Sequence, residues 1–330
     1  MAQNTQLLTL NNGHKMPMIG LGTLQASDEE IEVAIDAALE AGYRHIDTAP
    51  RYRNEKAIGR VLKRWLDSGK VKREELFIVT KLPLTANAPS DVLPIIRKSL
   101  ADLQLDYVDM FLIHMPFTLM ANEDGSIKKD EQGLMIPDLR TNHAATWVEM
   151  EKLVANGLAK SIGVSNFDQE QVGRLLKTAK IRPATNQIEH HVYLQQRELV
   201  DFCKAEGIAI TAYAPLGSRG LAKFTASLGL PRELPDLMDV PEVREIAAAH
   251  RKTPAQVLLR WIVDNGIIAI PKSANPERLR QNLDIFDFKL TDEEIAKLVK
   301  LDENFRIFDC AWIHGAEGHP EFRFKNKFTN

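Results

Sequence analysis

The sequence predicts an α/β protein whose strands close into a single (β/α)8 barrel of the TIM type. Three observations lead there. Eight short apolar segments, centred near Ile19, Ile46, Ile78, Phe111, Ile162, Thr185, Ile210 and Ile268, alternate with amphipathic helical segments. Such alternation calls for parallel strands joined by crossover helices, and eight of them suit a closed barrel. The rival architecture, a doubly wound sheet, opens on Gly-x-Gly-x-x-Gly after its first strand. Here Gly20-Leu21-Gly22-Thr23 has no third glycine in place. Finally, no stretch is rich enough in Pro, Gly or Ser to act as a linker, so residues 1–330 read as one domain, a size such barrels reach.

The chain opens on a β-hairpin. Leu7–Leu10 and Met16–Ile19 flank Asn11-Asn12-Gly13-His14-Lys15, and Asn-Gly is a strong hairpin signal. Ile19–Gly22 is the first barrel strand. Ser27 and Glu30 have capping-box spacing at the head of a helix with apolar Ile31, Val33, Ala34, Ile35, Ala37, Ala38 and Leu39, and Gly42 ends it. Strands follow at Arg44–Ile46, Leu76–Thr80, Tyr107–Ile113, Ala159–Val164, Ala184–Ile188, Ile208–Tyr213 and Ile267–Ile270. Helices are expected over about 54–66, 91–102, 143–156, 169–178, 195–206, 240–250, 253–264 and 276–283.

Two connections, 115–142 and 216–239, exceed the usual length of a βα loop, which marks them as functional or disordered. Phe117, Leu119, Met120, Phe224 and Leu228 favour folded flaps. Beyond Leu301 the tail carries Phe305, Phe308, Trp312, Phe322, Phe324 and Phe328, enough anchors to pack over the active-site face.

Composition narrows the function classes. With 44% hydrophobic and 26% charged residues the chain is globular in type. A net charge of −3 from 42 basic and 45 acidic residues gives no field for nucleic acid or an anionic membrane. No apolar run reaches the ~18–20 residues of a spanning helix. Met1–Gln6 lack the basic and apolar regions of a signal peptide. Cys203 and Cys310 are the two cysteines, too few for a disulfide framework or a metal-spacing motif. A cytoplasmic, reducing setting and a monomer are expected. His190, His191, His314 and His319 have no Cys or carboxylate at ligand spacing, so they read as surface or pocket-rim residues and no metal is expected.

In a barrel the functional face is at the C-terminal ends of the strands. What closes each apolar run is therefore informative. Asp47 follows the second strand, at the end of Gly42-Tyr43-Arg44-His45-Ile46, and Tyr52 lies five residues on. Lys81 ends the third, His114 follows the fourth, Ser165-Asn166 the fifth, Gln187 the sixth, Tyr213 the seventh, and Lys272-Ser273 the eighth. Singly, each has a bland reading: Asp-Thr-Ala-Pro is turn chemistry, and a lone histidine is most often a satisfied core residue. Together they place polar or ionisable groups on one rim.

These segments, Gly42-Tyr-Arg-His-Ile-Asp47-Thr-Ala with Tyr52, Lys81 after Ile-Val-Thr, Ile113-His114, Gly163-Val-Ser-Asn166-Phe and Ile270-Pro-Lys-Ser273, resemble the aldo-keto reductases from the hairpin to about Asp302. The resemblance implies a barrel that binds a nicotinamide dinucleotide, usually NADPH, and reduces a carbonyl. It implies Tyr52 as proton donor, Lys81 as the ammonium that lowers its pKa, Asp47 as the partner of Lys81, and His114 as the group orienting the carbonyl oxygen. His114, where steroid double-bond reductases of the family carry Glu, points to carbonyl chemistry. Thr23, Leu24 and Asp47 would also border the cofactor. Ser165, Asn166 and Gln187 would hold the carboxamide, Tyr213 would stack on the ring, and Leu216, Gly217 and Ser218 would line the pyrophosphate. Lys272, Ser273 and Arg278 would take the 2′-phosphate, with Gln281 and Asn282 near adenine.

The chain departs from aldose-reductase-like members at Leu24, Pro83 and Met115, where those carry tryptophans. A wider, aliphatic pocket follows, suited to a bulky apolar carbonyl such as a terpenoid, a lipid aldehyde or a steroid-like ketone. Leu24, Tyr52, His114, Met115, Phe117, Phe224, Cys310 and Trp312 are the pocket candidates; Phe117, Phe224, Cys310 and Trp312 could equally serve to pin the flaps down. The direction of reaction is open, and because fold does not dictate function, a cofactor-sensing or structural protein on the same barrel is the alternative reading.

Overall fold

The computed structural model describes residues 6–227 and 229–324. Leu228 and Phe328, named above as flap and tail anchors, and residues 1–5, read above for a leader, lie outside the described residues. Strands β1 (Leu7–Thr9) and β2 (Lys15–Pro17) form the hairpin. The barrel begins at β3 (Leu21–Gly22), followed by α1 (Asp28–Ala41), β4 (His45–Asp47), α2 (Glu55–Asp67), β5 (Phe77–Leu82) and α3 (Pro89–Leu103). It continues through β6 (Val108–Ile113), α4 (His143–Ala155), β7 (Ala159–Ser165), α5 (Gln169–Leu176), β8 (Thr185–Glu189), α6 (Arg197–Ala205) and β9 (Ala209–Tyr213). Helices α7 (Gly220–Ser227), α8 (Pro241–His250) and α9 (Pro254–Asp264) precede β10 (Ile268–Ala269), and α10 (Pro276–Leu283) and α11 (Asp292–Val299) complete the shell.

Strands β3 to β10 pair in sequence order, every neighbour parallel. The ring closes between first and last: Gly20 N donates to Ala269 O (2.9 Å) and Gly22 N to Pro271 O (3.1 Å). All residues of β4, β5, β6 and β8 are buried, as expected of parallel strands covered on both faces. One apolar layer joins the strands to the helices; a smaller one, with Phe77, Val79, Met110, Leu112 and Ile268, fills the barrel's foot.

The hairpin plugs that foot. Leu10 and Met16 pack into the lower layer, while Asn11 Nδ2 donates to Pro183 O (2.8 Å) and Asn12 Nδ2 to Ser161 Oγ (2.8 Å). Its pairing is Leu7↔Pro17 and Thr9↔Lys15, so Lys15 belongs to the strand and not to the turn. Ser27 and Glu30 form the capping box at α1, and Gly42 closes that helix at φ +106°, a conformation for which glycine has no steric cost.

Helices α2 and α3 meet at Gly59, where an added Cβ would lie 2.3 Å from the Asp102 carbonyl oxygen. Nearby, the buried Glu55 carboxylate accepts from Thr80 Oγ1 (2.6 Å) and Ser99 Oγ (3.0 Å), tying α2 to β5 and α3.

The structure bears out the two folded flaps and adds two helices that were not expected. The 216–239 flap holds a helix, α7. The 115–142 flap folds on itself through bridges Leu119↔Pro137, Ala121↔Ile127 and Lys129↔Met135. Helix α11 was not expected, although Thr291 and Glu294 form its capping box at readable spacing. Among the described residues no helix is long and apolar enough to cross a membrane.

Candidate active site

The C-terminal ends of the strands surround a cavity of about 1400 Å³. Beneath its floor lies an ionic pair. Lys81, on β5, and Asp47, closing β4, are both buried, with Nζ 2.5 Å from Oδ1. Lys81 also donates to Thr48 O (3.0 Å) and Tyr52 Oη (3.4 Å), while Gln187 Nε2 donates to the other Asp47 oxygen (2.7 Å). Both carboxylate oxygens are thus bound, as a buried charge requires.

Tyr52 reaches the site from a single helical turn, Pro50–Tyr52, which Arg53 ends at φ +60°. The loop is fastened by Asn54, whose Nδ2 donates to Thr23 O (2.9 Å); Thr23 Oγ1 in turn donates to Asp47 O (2.9 Å). The Tyr52 ring stands edge-on to His114 at 5.8 Å.

Electrostatics corrects one expectation. Burial raises the Tyr52 phenol above its usual value; Lys81 pulls it back only in part, and Asp47 adds to the rise. Tyr52 therefore rests as a neutral phenol at pH 7. For Lys81 burial opposes the ammonium, but Asp47 and Tyr52 outweigh it and its pKa is raised. His114 is held well below the ordinary imidazole value by burial, then by Lys81 and Arg51. It is a neutral ring, and its Nδ1 is buried with no hydrogen-bond partner among the described residues.

A second network runs round the rim. Ser165 Oγ donates to Gln187 O (2.9 Å). Asn166, at φ +65°, donates from Nδ2 to His114 O (2.9 Å) and accepts from Tyr213 Oη (2.8 Å). Phe308 packs edge-on against Tyr213 at 5.5 Å.

The cavity gathers most of the residues singled out in the sequence. Thr23, Leu24, Asp47, Tyr52, His114 and Met115 line it, as do Ser165, Asn166, Gln187 and Tyr213. Leu216 and Ser218 enter from the second flap, with Phe224. Lys272, Ser273, Arg278, Gln281 and Asn282 follow β10, and Cys310 and Trp312 come from the tail. Lys81 stands behind the wall and acts on it through Tyr52 and Asp47.

Phe117 is a correction. It is fully buried behind the cavity, against Phe322 (5.2 Å) and Phe324 (5.8 Å), and pins the first flap to the tail. Three apolar rings form a dry cluster more readily than any one of them faces an open cavity. Pro83 likewise leaves its place on the wall to Leu84.

The histidines are a second correction. His190, His191 and His319 are buried and do not lie on the surface or the rim; only His314 is exposed, and it lines the cavity. His190 stacks on Trp261 at 5.4 Å, and burial lowers its pKa to about 3. His191 Nε2 lies 2.9 Å from Glu189 Oε1, and His319 Nε2 contacts Thr141 Oγ1 and Asp138 O at 3.0 Å. Trp261 and Glu189 supply the partners that make their burial affordable. Among the described residues no group of three or more His, Cys, Asp or Glu is placed to hold a metal ion.

Sequence reasoning missed Ile127 and Met135 of the first flap, Arg51, and Ile313 of the tail, all on the cavity wall. Loops carry no period from which their facing could be read. Glu189 was also missed, though it lies two residues beyond Gln187 on one strand and so shares its side. Its buried carboxylate accepts from Ile307 N (2.6 Å) and Phe308 N (2.9 Å), fastening the tail.

Residues 18–303 match the model of the Aldo/keto reductase family. The chain is similar to aldo-keto reductase family 1 member A1 of Mus musculus, 44% identical with 97% of this chain and 98% of that protein covered. It is also similar to the Gallus gallus protein of that name, 40% identical with 99% and 100% covered. Among solved structures it resembles the aldose reductase from Schistosoma japonicum, with a TM-score of 0.87, 40% identity, and 98% and 100% of the two chains covered.

Proposed function

This chain belongs to the aldo/keto reductase family, and from that premise we propose that it uses NADPH to reduce a bulky apolar aldehyde or ketone, with Tyr52 as proton donor. The observation that carries the reading is the Lys81 ammonium 3.4 Å from the Tyr52 hydroxyl at the floor of the cavity. A phenol is a weak acid, and an adjacent ammonium stabilises the phenolate left when its proton moves to the carbonyl oxygen. Asp47 and Gln187 keep that ammonium aimed. His114, neutral, can donate a hydrogen bond to the same oxygen, where charge develops.

The cofactor fits the residues present. Lys272 and Arg278 line the cavity, and neither side chain has an ion-pair or hydrogen-bond partner among the described residues. They flank the N-terminus of α10, where Asn275 caps, a place that favours a phosphate. Two cations and a helix end suit the 2′-phosphate of NADPH better than a free hydroxyl. When bound, the cofactor supplies a hydride. Ser165, Asn166 and Gln187 would hold its carboxamide, Tyr213 would lie against its ring, and Thr23, Leu24, Leu216, Ser218, Ser273, Gln281 and Asn282 would border the rest. Lys272→Ala or Arg278→Ala is expected to weaken NADPH by about 10-fold or more while NADH changes little; equal losses would remove this assignment.

The carbonyl side is largely aliphatic: Leu24, Leu84, Met115, Ile127 and Met135 line the cavity that Tyr52 faces, with Trp312 and Cys310 from the tail. That lining supports a terpenoid, lipid aldehyde or steroid-like ketone. We read the chain as one domain, since flaps and tail pack on the barrel, and as a cytoplasmic monomer. The test is NADPH oxidation with a panel of aldehydes and ketones, wild type beside Tyr52→Phe. Tyr52→Phe should bind NADPH and lose at least about 10²-fold in kcat. An equally active Tyr52→Phe sinks the assignment.

A further inference from the structure

The tail segment 307–310 is held by charges from two directions. From the barrel, Glu189 accepts Ile307 N and Phe308 N. From the second flap, Arg232 meets Asp309 in a fork, Nη1 to Oδ1 and Nη2 to Oδ2, both 2.8 Å, and Nη1 also reaches Ile307 O (3.3 Å). The Asp309 side chain is 2% exposed and that of Arg232 19%. Asp309 sits between Phe308 and Cys310, both on the cavity wall. Its carboxylate also accepts Ala311 N (3.1 Å) beside Cys310, which is left-handed at φ +59°. That strained residue turns the chain so that Cys310 and Trp312 face the cavity.

We propose that Arg232, through Asp309, is a positioning residue for carbonyl specificity: the flap that lines the cofactor side sets where the tail's Phe308–Trp312 wall stands. The inference rests on the reading of the cavity as a carbonyl reductase site. A two-pronged guanidinium–carboxylate contact fixes direction as well as distance. A buried ion pair adds little net stability compared with apolar residues of similar size, so stability alone gives this pair no reason to be ionic. Its geometry does, because Phe308, Cys310 and Trp312 hang from the backbone it orients.

The test compares wild type with the double variant Arg232→Leu/Asp309→Leu, which leaves no unpaired buried charge, and with Arg232→Lys, which keeps the charge and loses the fork. Hydrogen exchange on the unliganded protein reads the tail directly; amides in 307–313 should exchange about 10-fold faster in the double variant. With NADPH, kcat/KM for decanal should fall about 10-fold more than for propanal, through KM, with Arg232→Lys intermediate. Unchanged exchange, or an unchanged decanal-to-propanal ratio in a folded variant, overturns the proposal. If the double variant does not fold, Arg232→Lys decides by the same ratio. A wild type that oxidises no NADPH on any carbonyl overturns the enzymatic reading, and this inference with it.

Discussion

Asp47 and Glu189 are both buried carboxylates at the ends of barrel strands, and they differ in what binds them. Asp47 is held by side chains, the Lys81 ammonium and the Gln187 amide. Glu189 is held by His191 and by two backbone N–H groups of the tail. The first arrangement leaves an ammonium beside a phenol facing a cavity. The second leaves a segment of chain fixed over that cavity. A buried carboxylate thus becomes part of a side-chain network at the cavity or part of a scaffold according to whether its partner is a side chain with a further contact or the backbone itself.

Breaking the Asp47 side should have the larger effect. Lys81→Met leaves a buried carboxylate bound by Gln187 alone, and the loss is expected to be about 3–5 kcal/mol in denaturant unfolding; a loss below about 1 kcal/mol would mean that the pair does not anchor this corner of the barrel. Glu189→Gln keeps the shape and one amide oxygen for the tail's N–H groups. It should cost about 1–3 kcal/mol and shift the Trp312 contribution to fluorescence, isolated by subtracting a Trp312→Phe background. A fall in kcat as large as that of Lys81→Met would erase the distinction between the two carboxylates.

Acid provides the finest separation. His114 is neutral in the folded chain with a pKa well below 6.5. Below about pH 6.5 the unfolded chain takes up a proton that the folded chain refuses, so this contribution is whole above that pH and lost as pH falls. Glu189 lies below the ordinary 4.5: burial would raise it, but the hydrogen bond and charge of His191, then Arg306 and Ile307 N, outweigh burial. Its contribution is whole above about pH 4.5 and lost only as pH falls through its folded value. Between these limits the His114 side should weaken by up to about 1.4 kcal/mol per pH unit while the Glu189 side holds. Melting temperature against pH should therefore be steeper for wild type than for His114→Gln; parallel lines would refute the assignment of a neutral His114.

Which parts could be read beforehand follows from the same contrast. Strand ends are legible because a buried parallel strand is a run of apolar residues, and whatever polar residue closes it must stand on the rim. Asp47, His114, Ser165, Gln187 and Lys272 were found in that way, and their order along the chain carried the family resemblance. Facing within loops follows no period, so Ile127 and Met135 went unnoticed, and Phe117 was assigned to a wall that it only supports from behind. His190 and His191 were misplaced because their partners, Trp261 and Glu189, are 71 and 2 residues away from the first and second of them, and only the first distance is beyond local reading. The Tyr52 phenol was expected to be lowered because the ammonium is visible in a motif, whereas the burial that raises it is not.

The close approach at Gly59 bears on how variants of this protein would be judged. A methyl group there meets the Asp102 carbonyl, so the contact between α2 and α3 must shift. The helix carries Glu55, which grips Thr80, the residue next to Lys81. In a saturation scan scored by activity, Gly59→Ala would therefore be counted with the cavity residues, although it lies on the outer shell and does not line that cavity. A map of intolerance drawn on this barrel would overstate the extent of its chemistry along that line, and heat-inactivation rates measured beside activity would return Gly59 to the structural class.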